Sequence, residues 1–289
     1  MIVMMNLASD FDELVTGQLQ KNGFVTSAAH NPYLRFATLY ARTERSVPQI
    51  KYSMLVSTEL QGNPQFQLLQ PVINEIAATL AEGGAVLPYL SRMASDPNSQ
   101  RDGLLAYWGI HHLHLSSIST IDAKGHVTRA DYLLFVRFEG GIAHFIDILP
   151  HANRNAFVDT ALIEIVDKNW PHLHMELNRV TGHILTESEI SSLRKANVNA
   201  ALLVNGRTVM PKMGIMADGH SIEVIRLYDY IGYELDNLER NVRLWFHSYF
   251  MPQPPYAAYV KLVTLDDKSF TIREQISGQE KRVLRQLKH

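Results

Sequence analysis

The chain contains no cysteine. That absence excludes disulfides, thiolate zinc sites, iron–sulfur clusters and cysteine nucleophiles together, and removes the main positive sign of secretion. No stretch comes near the run of about 18 apolar residues that a membrane helix needs. The opening MIVMMNLASDFDEL has a short apolar stretch with no basic segment before it, and acids follow at once, so it does not read as a signal peptide. A cytoplasmic protein with no membrane contact is expected. A basic excess is missing too: 27 Lys and Arg stand against 29 Asp and Glu. Nucleic acid could then be held only locally, in a cleft. No Walker loop, GxSxG elbow, HExxH or GxGxxG occurs, which argues against a nucleotide triphosphatase or a serine hydrolase.

What is present describes a globular chain of 289 residues, 46% hydrophobic and 19% charged. Helical spacing runs over 7–22, closed by Gly23, and over 64–82, closed by Gly83-Gly84. Residues 33–40 suggest a short helix or an irregular strand, and 52–58 a strand. Asp96-Pro97-Asn98-Ser99 is a polar turn. Three strands are expected at Trp108–Ile118, Asp131–Phe138 and Ile142–Leu149, the last two joined by a tight Glu139-Gly140-Gly141 turn. Helical spacing returns over 152–169. A capping box at Thr186–Glu189 opens another short helix, 201–211 reads as a hairpin, and 221–250 is the longest helix. A final hairpin lies beyond MPQPPY. The expected architecture is α+β, with a central antiparallel meander and covering helices. It divides into a mostly helical module (1–98), a central module (99–180) and a helix-plus-hairpin module (181–289).

The densest chemistry lies in WGIHHLHLSS, where three histidines occupy four positions of an apolar segment. In a strand, residues two apart share a face, so His112 and His114 project together while His111 joins Leu113 and Leu115. The next strand offers Asp131 and Arg137 on one face, with Arg129 in the same parity just before it. The third offers Asp147 and then His151, at its end and ahead of a helix whose N-terminus could hold a phosphate. Paired in order, the three strands supply His112, His114, Arg129, Arg137 and His151 to one surface. The bland alternative is a solvated face with scattered His and Arg.

Such a face suits phosphodiester cleavage without a metal. One histidine takes the ribose 2′-OH proton, another protonates the leaving oxygen, and an arginine holds the charged phosphate. The block RADYLLFVRFEGGIAHFIDILPHANRNAF resembles the C-terminal sheet of RelE/YoeB-type toxin ribonucleases over about residues 105–160. The resemblance implies an endoribonuclease, toxin-like or defence-related, that needs no cofactor. Arg129 or Arg137 would match the family's arginine and His151 its terminal histidine, with His112 and His114 lining the cleft. RNA is then the expected partner, with a neutralising or regulatory protein and self-association as further partners.

Two other classes fit parts of the pattern. His112, His114 and His151 with Asp147 or Asp131 could hold a divalent metal for hydrolysis. The HxH pair matches neither an amidohydrolase barrel, which places it near the N-terminus, nor a cupin, which wants a nearer glutamate than Glu139. The second His-Leu-His string, at 172–174, follows a Trp-Pro stop and reads as surface loop. A non-enzymatic binding protein would use its aromatic surfaces, with the Trp245–Tyr249 helix end and MPQPPY as contacts.

Overall fold

The structure is a computed structural model that describes residues 2–24, 31–92, 103–152, 160–180, 184–211, 214–217, 219–251, 257–266 and 268–285. The Asp96–Ser99 turn and most of MPQPPY lie outside these residues. The fold is α+β, with three sheets. The chain divides into two compact units, Met1–Tyr40 with Glu223–His289, and Ala41–Ile222. Unlike the three consecutive modules expected above, the first unit is made of two separate stretches of chain. The reason is β1 (Ile2–Met4), which pairs in parallel with β9 (Ala257–Leu265) and ties the start of the chain to its end.

The first unit has the sheet order β1-β9-β10-β11, with β10 at Ser269–Glu274 and β11 at Glu280–Leu284. Helix α1 (Leu7–Lys21) begins at Asn6, whose side chain accepts from the Ser9 amide. Its buried Leu7, Phe11, Val15 and Leu19 recur at helical spacing. They share a core with residues of α2 (Pro32–Arg45), α9 (Ile222–Leu244) and the sheet. The long expected helix breaks at Trp245, followed by the short α10 (Phe246–Tyr249); it runs unbroken through Gly232.

In the second unit, the sheet order is β2-β5-β4-β3. Here β2 is Ser53–Val56, β3 Ile110–His114, β4 Tyr132–Glu139 and β5 Ile142–Pro150. The expected antiparallel meander is present, and β2 adds to it in parallel. One face packs on α3 (Thr58–Gly62), α4 (Pro64–Leu68) and α5 (Gln70–Glu82) through Leu60, Ile73, Ile76 and Leu80. The single helix expected over 64–82 is interrupted between α4 and α5, where Pro71 takes a first-turn position that needs no N–H donor.

The other face packs on α6 (Gly103–Trp108), α7 (Ala161–Asn169), α8 (Glu187–Lys195) and a small sheet of order β6-β8-β7. Here β6 is Met175–Glu176, β7 Leu202–Val204 and β8 Arg207–Met210. The capping box of α8 forms as expected. Asn205 and Gly206 both take positive φ between β7 and β8, the turn that an Asn-Gly hairpin requires.

Two expected boundaries move. Trp108 ends helix α6 instead of opening a strand, because Gly109 at φ 66° turns the chain into β3. Helix α7 starts at Ala161, ten residues after His151 and not directly after it. Among the described residues, no helix is long and apolar enough to cross a membrane.

Candidate active site

Pairing sets the face. Ile110, His112 and His114 lie opposite Arg137, Phe135 and Leu133, so these side chains share one side of the sheet. His111 falls on the other side, as its parity predicts; it is buried and meets Phe138 edge-on at 5.3 Å between ring centres.

Three chain ends meet at one end of this face. β3 finishes at His114, β4 is entered from Arg129, and β5 runs out to His151. The His151 amide donates to the Asp131 carbonyl at 2.7 Å, extending the ladder one step beyond the strands. The loop before β4 is built locally. Asp122 accepts from the amides of Lys124 and His126, and the Val127 amide donates to the Pro88 carbonyl. That frame carries the chain to Arg129.

The side chains converge there. An Arg129 guanidinium nitrogen lies 2.9 Å from Nδ1 of His151. The His151 ring stands 5.3 Å from the His114 ring, and His114 lies 6.3 Å from His112. The Ala130 amide points at Nδ1 of His114 from 3.5 Å. Burial, then the neighbouring His112, His151 and Arg129, push His114 from 6.5 down to about 4. Burial and then the Arg129 cation lower His151. Both rings are neutral at neutral pH, beside one fixed positive charge. Because Nδ1 of His151 accepts from Arg129, its neutral ring carries the proton on Nε2.

The other expected residues lie elsewhere. Arg137 sits four positions along β4 from the partner of His114, a separation of about 13 Å. It is 5% exposed and bound to Glu139 at 2.5 Å. Strand parity placed it on the correct face but at the wrong end. Asp147 accepts from Asn63 at 2.7 Å and from the Ile148 amide. Among the described residues, no group of three or more His, Asp or Glu is arranged to hold a metal ion.

A second polar cluster at the Arg137 end was not anticipated. His144 pairs with Arg137 across the sheet and packs edge-on against Trp170 at 4.8 Å. His174, expected on a surface loop, is 6% exposed and packs edge-on against Trp108 at 5.2 Å. Its Nδ1 lies 3.6 Å from the buried carboxylate of Asp167, which also binds Arg207. Arg207 spans on to Glu176 at 2.8 Å. Burial, then Arg137, push His174 down to about 4. His172 is exposed, as expected. The signal missed was Trp170, an aromatic stop able to fold the following turn inward.

Comparison of the chain with protein-family models, with curated proteins and with solved structures finds no match.

Proposed function

We propose that the protein is a metal-independent ribonuclease whose reacting groups are His114, His151 and Arg129. The observation that carries this reading is the Arg129–His151 contact beside the His114 ring. A guanidinium and two imidazoles of lowered basicity at one end of a sheet suit a phosphodiester better than a neutral substrate. Arg129 binds the phosphate through its planar fork. Doing so takes the guanidinium off His151 and releases its Nδ1. The bound anion then raises His151 back toward the protonated form, fitting it to protonate the leaving 5′-oxygen. His114, neutral in the free protein, accepts the 2′-OH proton. The 2′-oxygen attacks phosphorus, the P–O5′ bond breaks, and a 2′,3′-cyclic phosphate remains. His112 lines the approach.

The test is cleavage of total RNA by the purified protein in excess chelator, alongside His151→Ala and Arg129→Ala. Cleavage that survives chelator and falls by about 10²–10⁴ in either variant supports the assignment. Cleavage abolished by chelator, or undiminished in both variants, rejects it.

A further inference from the structure

We propose that the outer edge of β11 docks an extended, acidic segment of a partner protein, which adds a strand beside β11 with its inward side chains against Trp245. The inference concerns the first unit alone and does not depend on the ribonuclease reading. Among the described residues, β11 is the last strand in its sheet, and its outer backbone groups have no ladder partner there. Beside it lies an open groove of about 530 Å³, walled by Trp245 and Tyr249 on one side and Lys281–Leu284 on the other. Trp245 is 57% exposed and Leu284 74%. An indole left this open beside an unpaired edge is an anchor of the kind that dominates protein interfaces.

The chemistry of the occupant follows from the lining. Val283 packs toward the core of the unit, so Lys281, two residues away, shares its face. Among the described residues, no acidic side chain lines the groove. Glu280 is bound to Arg273, and Arg282 reaches Asp266 at 3.3 Å. Among the described residues, no ion pair engages Lys281. An incoming strand therefore meets a positive charge at Lys281 and, two residues on along β11, Val283, in a groove that also exposes the Trp245 indole. A segment with an acid and an apolar residue in alternate positions matches both. A second copy of this chain matches less well: antiparallel pairing of two β11 edges centred on Lys281, on Arg282 or between them sets like cations opposite each other.

The probe is a dye-labelled peptide, Thr-Glu-Thr-Val-Thr-Glu-Thr-Val, with a counterpart carrying Lys for Glu. Both are titrated against the full chain by fluorescence anisotropy. The acidic peptide should bind at least tenfold more tightly than the basic one. Lys281→Glu should reverse that preference, Trp245→Ala should weaken binding about tenfold, and hydrogen exchange of the β11 amides should slow on binding. Both substitutions are at the surface, and an unchanged melting temperature confirms that each variant is folded. The proposal is overturned if neither peptide binds, if both bind equally, or if Lys281→Glu leaves the preference unchanged. It is also overturned if sedimentation shows a dimer that Trp245→Ala dissolves, since the edge would then belong to a second copy.

Discussion

Arg129 and His151, 22 residues apart in the chain, meet through a guanidinium nitrogen 2.9 Å from Nδ1 of the ring. The contact joins the entry of β4 to the exit of β5. It sets the tautomer of His151, holds its basicity down, and places a cation at the open end of the sheet.

Removing that cation has a defined consequence. In Arg129→Ala, His151 should titrate closer to its ordinary value of 6.5, because only burial and the neighbouring His112 remain to lower it. Arg129→Lys keeps the charge and should leave His151 below 6.5. The Cε1–H resonance of His151, followed by NMR through a pH titration, reads both. A titration unchanged in Arg129→Ala would mean that the two side chains do not interact in solution.

Acid stability should report His174. Its folded value of about 4 lies below the ordinary 6.5, so the unfolded chain takes up the proton first as pH falls. The stability it contributes is complete above pH 6.5, declines as pH falls from there to about 4, and changes no further below. The total is roughly 3 kcal/mol. His114, shifted the same way, adds a smaller loss because it is partly exposed. Urea midpoints at pH 7 and pH 4.5 should differ less in His174→Gln than in the parent. Equal differences would place the acid sensitivity elsewhere.

Arg207 neutralises a buried carboxylate. Arg207→Ala leaves Asp167, 4% exposed, with His174 and the side-chain amide of Asn205 as its partners among the described residues. That should cost about 3–5 kcal/mol. It should also raise the value of His174, since Asp167 then has its negative charge uncompensated and a repelling cation is gone. Denaturant unfolding gives the first effect and NMR titration the second. Loss of stability without movement of His174 would break the proposed coupling between them.

Gly109 should resist substitution. It holds φ 66° between α6 and β3, where a Cβ is strained, so Gly109→Ala should lower stability by about 1 kcal/mol. Gly109→Asn should cost less. Because β3 carries His112 and His114, any loss of RNA cleavage in these variants should track the loss of stability. Equal stability of Ala and Asn variants would show that the turn relaxes.

Local chemistry explains which parts of this fold could be read in advance. Turn residues announced the Glu139–Gly141 hairpin and the capping box announced α8, because each acts within a few residues of chain; the hairpin over 201–211 was expected too, its turn falling at Asn205-Gly206. Alternation placed His112, His114, Leu133 and Phe135 on one face and His111 on the other. Alternation has a period of two and says nothing of position along a strand, so it grouped Arg137 with histidines that lie at the opposite end. Its neutralisation by Glu139, two residues along the same strand, is a contact that alternation does allow. The burial of His174 depends on Trp108, 66 residues earlier, and the pairing of β1 with β9 joins residues about 250 apart. No local pattern encodes contacts at that range.

The most direct test of the site is a dinucleotide substrate offered with ribose or 2′-deoxyribose on the 5′ side of the phosphate, in excess chelator. The account predicts cleavage of the ribose form to a 2′,3′-cyclic phosphate, none of the deoxy form, and loss of the reaction in His114→Ala. Cleavage of both forms, or a product that never passes through the cyclic phosphate, would contradict it.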